Sequence, residues 1–367
     1  MENNKQRNRF VPDYLVTPGE VLEEYLADLG MTQAELADRT GLTRKTINEI
    51  IKAKSSITAE TALKLERALG RSAHFWSNLE RQYQDDRVRL AEQARMESDL
   101  EWLKNVPVKD MAKRGWIPKL KNKLDRLEAV LCFFGVASAE QWKKMWTAEI
   151  PIAYRQTEHR DKHLEAVSAW LRQGEIQARR LDCGPYDRSR FLVVLDEIRK
   201  LTTKAPDVFA PKLQELCASA GVALVFVPEL PKIGIYGATR WMDGKPVMQI
   251  TLYRKSNDHF WFTIFHEAGH ILKHGRKEVF IEGKGLDGEK EEEANAYARD
   301  KLIPPGEMRE FLKKSQFSSS DIQTFAQEIG IAPGIVVGRM QHDKKIPFNS
   351  QLNKLKESYC WVDEEAE

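Results

Sequence analysis

Three of the eight histidines in this 367-residue chain fall within one run, FHEAGHILKHG, at residues 265–275. His266 and His270 are four apart, so on a helix they stack on one face with Cβ atoms about 6 Å apart. Two imidazoles at that spacing can converge on one tetrahedral ion, each nitrogen at about 2.0–2.1 Å. Glu267 follows the first histidine and points toward the ion's open position. It is placed to take a proton from water rather than to bind metal, the chemistry of a His-Glu-x-x-His hydrolase. A helix here would bury one apolar stripe, Ile264, Phe265, Ala268, Ile271 and Leu272. Thr263, His266, Glu267, His270 and His274 would line the other face.

A catalytic ion of this kind wants a third protein ligand and an open fourth position. GEKEEEANAYARDKLIP, residues 288–304, reads as an alanine-rich helix that stops at Pro304-Pro305. Of its acids Glu289, Glu291, Glu292 and Glu293, most should be surface groups favoured by the helix dipole. Glu293 is the expected third ligand. It adjoins small residues that let two helices approach, with Ala296, Tyr297 and Asp300 on its side, and it follows His270 by 23 residues. His274 is expected to support the site without touching the ion. Tyr236, Tyr253, Tyr297 and His342 are candidates to stabilise an oxyanion. The strand-like run Pro246–Tyr253 is either an open sheet edge that an extended peptide could join or an ordinary core strand.

FTIFHEAGHILKHG and EEEANAYARDKLIP resemble the ImmA/IrrE peptidase family, over about residues 206–305. The resemblance implies a zincin-like fold with a small sheet, zinc as the cofactor (manganese as the alternative), and cleavage of a regulatory protein. It makes His266, His270 and Glu293 the metal ligands and Glu267 the general base. Ala268 stands where that family commonly has Leu.

The first 85 residues carry a different pattern. Thr17, Thr32 and Thr43 each stand where a helix should start, and Gly30, Gly41 and Gly70 where one should stop. Ala34, Leu36, Ala37, Leu42 and Ile47 take the buried positions of a helix-turn-helix, with Gly41 at the turn. Arg39 to Lys54 holds five basic residues and one acid, a local basic face suited to phosphate. Gln33, Thr43, Arg44, Lys45, Thr46, Asn48, Lys52 and Lys54 are the candidate DNA contacts. TPGEVLEEYLADLG, TQAELA, ITAETALKLERALG and FWSNLERQY resemble HigA-type antitoxins of the Xre-like group. That resemblance implies a homodimer on a double-stranded operator, autoregulation and a toxin partner.

The net charge of +2 makes no global case for nucleic acid. The chain offers no run of the roughly 20 apolar residues that would span a bilayer and no secretory leader, and Cys132, Cys183, Cys217 and Cys360 fit no zinc ribbon or disulfide framework. These point to a cytoplasmic protein with reduced thiols and no membrane contact. The expectation is a mainly α, multidomain chain. It has a five-helix helix-turn-helix domain over 1–85, ending in a short helix at HFWSNLERQY, a tryptophan-containing helical middle over 86–205, and an α+β HExxH peptidase domain over 206–367. A helical pair near the C-terminus, Asp321–Ile329 and Pro333–Met340, is expected to pack rather than to read DNA. The function expected is a DNA-binding regulator that cleaves a repressor or toxin-system partner. The alternative is a non-enzymatic antitoxin-like autorepressor whose zincin-like part senses metal or binds a partner.

Overall fold

Thr17, Thr32, Thr43 and Thr58 each accept a backbone N–H three residues on, and each starts a helix. These helices are α1 (Pro18–Asp28), α2 (Gln33–Thr40), α3 (Arg44–Ile51) and α4 (Ala59–Leu69). At Thr17 and Thr32 the box is completed by Glu20 and Glu35, which bond back to the cap's own N–H. Gly41 and Gly70 stop α2 and α4 in the left-handed region. The computed structural model describes residues 15–150, 164–276, 278–283, 288–314 and 316–361. They form two compact units, Met1–Ser98 and Asp99–Glu367.

In the first unit Leu22, Leu36, Ile47, Leu65 and Trp76 form the buried core. Gly19 of α1 lies against the carbonyls of Ile50 and Ile51, where a Cβ would overlap backbone. The short final helix expected at HFWSNLERQY is instead α5 (Ala73–Leu103), 31 residues long. No Pro or Gly interrupts the sequence between Tyr83 and Leu103, and pairs such as Arg95–Glu92 support the exposed turns. The expected boundary at 85 therefore falls inside a helix.

The second unit is built around a four-stranded sheet: β1 (Ala223–Phe226), β2 (Ile235–Met242), β3 (Lys245–Ile250) and β4 (Phe280–Gly283), in the order β1-β3-β2-β4. β2 and β3 form a hairpin whose turn, Asp243-Gly244, has both φ values positive. Asp-Gly tolerates that conformation, which matches the strand twist. β3 pairs with β1 on one side and β2 on the other. The segment considered as an open edge is thus central, and β4 lies at the end of the sheet nearest the histidines.

Tryptophans and helices from the expected middle region belong to this same unit. In α6 (Val108–Lys113), α7 (Lys123–Phe134) and α8 (Ala139–Glu149), Phe134 packs on Trp146 at 5.8 Å between ring centroids, and Trp142 packs on Trp102 at 5.2 Å. α9 (Leu164–Ala178) covers one sheet face: Trp170 Nε1 donates to Val227 O (3.1 Å), and Gln249 Nε2 donates to Trp170 O (2.6 Å). The structure draws no division at residue 205. After α10 (Arg188–Lys200) and α11 (Pro206–Ser219), α12 (Asn257–Lys273) covers the opposite sheet face. α13 (Glu289–Leu302) crosses α12 closely, because Gly269 meets Ala294 where a Cβ would stand 3.1 Å from its Cα. α14 (Pro305–Phe311) leads to the expected pair, α15 (Ser319–Ile329) and α16 (Pro333–His342). Ile335, Val336 and Met340 join Ile264 and Phe265 in one core, so the pair does pack.

Candidate metal centre and helix-turn-helix surface

α12 turns its apolar stripe into the core and holds His266, Glu267 and His270 within a buried second face, each no more than 1% exposed. The Nε2 atoms of His266 and His270 are 3.0 Å apart. Glu291 reaches both, Oε2 at 3.2 Å from His266 and Oε1 at 3.5 Å from His270. Two imidazoles and one carboxylate thus converge as a donor set that fits a divalent ion with a position left open.

The carboxylate beside the histidines is Glu291, not the expected Glu293. Residues two apart on a helix point about 200° apart. Glu291, Ala294, Asn295 and Ala298 share the α13 face that meets α12, and Ala294 and Ala298 are fully buried. Glu293 lies on the exposed side with its carboxylate 3.1 Å from Nε2 of His274. A signal was present: two of the three alanines considered in EEEANAYARD fall on the face of Glu291, and only Ala296 on that of Glu293.

Each ring is held from behind. His266 Nδ1 lies 3.0 Å from Asn295 Oδ1, one turn after Glu291. His270 Nδ1 lies 2.9 Å from His274 Nδ1. His274 therefore touches the His270 ring and Glu293 rather than the convergent atoms. Asn295 was not among the expected residues.

Glu267 is fully buried. Its Oε2 accepts from the Thr239 hydroxyl at 2.6 Å, and Oε1 has no hydrogen-bond partner among the described residues. Gly237 on β2 has no side chain, and a Cβ there would overlap Oε1. A second, partly buried acid, Glu282 on β4, stands beside His266 and Glu267 and was not expected. Burial pushes the Glu267 carboxyl well above its ordinary range and raises Glu282 as well. Burial pulls His266 down, but Glu282, Glu291 and Glu267 around it outweigh that and bring it up to about 9. Burial, with His266 and His274 nearby, takes His270 down to about 4. Burial opposes ionisation of Glu291, but hydrogen bonds from both histidines bring it down to about 2.

Of the oxyanion candidates, Tyr236 and His342 line a cavity of about 250 Å³ that shares Glu282 and Asn295 with this cluster. Tyr253 and Tyr297 are not among its lining residues. Arg339 and His259, not considered from sequence, are.

In the first unit Arg44, Lys45, Lys52 and Lys54 are exposed along α3 and its exit, while Gln33, Thr46 and Asn48 are half-buried. Thr43 is exposed but engaged as the cap: its hydroxyl accepts from Thr46 N (3.0 Å) and shares a hydrogen bond with Thr46 Oγ1 (2.8 Å). Lys45 stands 3.9 Å from Glu49, at the limit of an ion pair.

Two capped helices joined at a left-handed glycine, the second with a basic exposed face, define a helix-turn-helix module. The model of the family described as "HTH_3: Helix-turn-helix" matches residues 22–76. Virulence-associated protein I of Dichelobacter nodosus is 39% identical over 79 residues, which cover 21% of this chain and 70% of that protein. Antitoxin HigA-1 of Vibrio cholerae is 36% identical over 83 residues, 22% of this chain and 78% of that protein. A solved structure, Pseudomonas aeruginosa antitoxin HigA with higBA promoter, is 30% identical, covering 23% of this chain and 95% of that one, at a TM-score of 0.22. Through its N-terminal part the chain belongs to this helix-turn-helix family, with HigA-type antitoxins among its relatives. No helix among the described residues is long and apolar enough to cross a membrane.

Proposed function

We propose that this protein is a DNA-binding regulator that carries a metal-dependent peptidase, whose substrate is a regulatory protein such as a repressor or a toxin-system partner. The convergence of His266, His270 and Glu291 beside a buried Glu267 carries the peptidase part. A residue that only sensed metal would need no buried carboxylate next to the ligands. Zinc suits this nitrogen and oxygen set, with manganese as the alternative. When bound there, the ion supplies Lewis acidity toward a carbonyl oxygen and toward water.

The chain's own residues do the rest. Asn295 and His274 orient the two ligand rings. Thr239 holds one oxygen of Glu267, leaving the other to accept a proton from the attacking water and pass it to the departing amine. Burial makes that carboxylate more basic. Phe280 of β4 stacks on His270 at 4.2 Å, so an extended peptide that paired with the end of the sheet would run past the three ligands. On the DNA side, Arg44, Lys45, Asn48, Lys52 and Lys54 would meet phosphate and base edges, in a homodimer on half-sites one helical turn apart.

The decisive experiment incubates zinc-loaded protein and its Glu267→Gln variant with the proteins encoded beside it. Cleavage by the wild type alone supports the reading; equal cleavage by both sinks it. The second reading, a non-enzymatic antitoxin-like autorepressor, is favoured by the names of the relatives. It requires that Glu267→Gln leave every regulatory output of the protein unchanged.

A further inference from the structure

Among the described residues two sets of three metal-ligating side chains have donor atoms within 4.8 Å of one another, and the sets overlap. The first is the centre described above, His266, His270 and Glu291. The second is His266, Glu267 and Glu282. Different elements assemble it: α12 supplies the histidine and one acid, and β4 supplies the other. Glu282 stands across from Gly237 in the register of β4 with β2. A Cβ at Gly237 would overlap Glu267 Oε1, so the bare glycine is what admits that oxygen beside Glu282.

Both acids of the second set hold an oxygen in reserve. Glu267 is fully buried, Thr239 takes its Oε2, and its Oε1 has no partner among the described residues. Glu282 Oε2 is likewise a buried atom without a partner there. A buried carboxylate oxygen with no donor is costly, and a cation is the partner that answers two of them at once. His266, however, cannot serve both sets together. Its Nδ1 faces Asn295 Oδ1 at 3.0 Å, which leaves Nε2, and Nε2 is the atom that faces His270 and Glu291.

We propose that the chain has a second metal position, made by His266, Glu267 and Glu282, which excludes the first and holds a divalent ion in an idle state. An ion there is bound through Glu267 Oε1, the oxygen assigned above to the attacking water. The base is withheld while the metal is kept. Zinc favours the first set, with its two imidazole nitrogens, over the second, with its two carboxylates. The idle character of the second position rests on the peptidase reading above; the position itself rests only on the cluster binding metal.

The test is zinc affinity of the full-length chain, measured by competition against a chromogenic chelator in a double-mutant cycle. His270→Ala disables the first set and should still take one zinc per chain, at reduced affinity. Adding Glu282→Gln to it should weaken binding by a further factor of about 10 or more, since even an outer partner of a metal ligand is worth that much. In the wild-type background Glu282→Gln should leave zinc affinity unchanged, because the first set holds the ion. Glu291→Gln, which also disables the first set, is carried through the same cycle in case His270→Ala fails to fold. Loss of all zinc binding in both single variants, no further loss on adding Glu282→Gln, or an equal loss from Glu282→Gln in the wild type overturns the proposal. Should Glu267→Gln cleave as well as the wild type, the peptidase reading falls while the outcome of this cycle stands on its own.

Discussion

Asn295 Oδ1 stands 3.0 Å from His266 Nδ1, on the edge of the ring away from Glu291. One helical turn of α13 thus supplies both a carboxylate for the ligand side of His266 and an acceptor for its back. An acceptor there fixes the tautomer that turns Nε2 toward an ion. Asn295→Ala should weaken zinc binding by about 10- to 100-fold. Asn295→Asp, which keeps the acceptor, should retain it. Competition against a chromogenic chelator measures both, and an Asn295→Ala affinity equal to wild type would remove Asn295 from the site.

Glu291 and Glu293 separate cleanly. Glu291→Ala removes one of three donors and should leave less than stoichiometric zinc after dialysis. Glu293→Ala removes only a partner of the half-exposed rim and should keep its zinc. The opposite result in metal analysis of the two purified variants would restore Glu293 as the ligand.

Gly19 packs against the backbone of Ile50 and Ile51 at the end of α3. Gly19→Ala cannot be absorbed by a flexible side chain, so α1 must move off α3. Overpacking of this kind costs about 1–3 kcal/mol. Thermal unfolding followed in the wild type and variant should show a lower midpoint for the N-terminal transition.

Lys52 and Arg44 differ in what they could contact. If Lys52 neutralises a phosphate, Lys52→Ala should weaken binding to any duplex alike and lower the salt slope by about one. If Arg44 near the start of α3 reads a base edge, Arg44→Ala should cost about 1–3 kcal/mol on the operator and less on unrelated DNA. Titrations at several salt concentrations, on operator and on scrambled duplex, distinguish the two.

The four thiols should sort by burial. Cys132 and Cys360 are exposed, and Cys183 and Cys217 are buried. Burial pushes Cys217 up to about 12 and raises Cys183. Burial thus holds the Cys217 thiol protonated at pH 8, and thiolate is the reactive form. Native alkylation read by mass spectrometry should label Cys132 and Cys360 and spare the other two until denaturant is added.

Local chemistry determined much of this protein before any tertiary contact was known. Thr caps start α1 to α4 and glycines stop α1, α2 and α4, because capping involves only residues three or four apart. His266, Glu267 and His270 were legible for the same reason, since the spacing that stacks two imidazoles is a property of one helix. What the tertiary structure alone decided lies between elements. Glu291 and Glu293 belong to opposite faces of α13, each with alanine neighbours, and only the docking of Ala294 onto Gly269 selects one face. Glu282 comes to the site through the pairing of β4 with β2, which no local spacing specifies. The centrality of β3 follows from β1, which joins it in parallel from beyond the hairpin. The length of α5 and the union of α9 with the sheet likewise depend on what each helix finds to pack against. A helix repeats every 3.6 residues and so prints its faces in the sequence, but nothing in that period names the face another helix will cover.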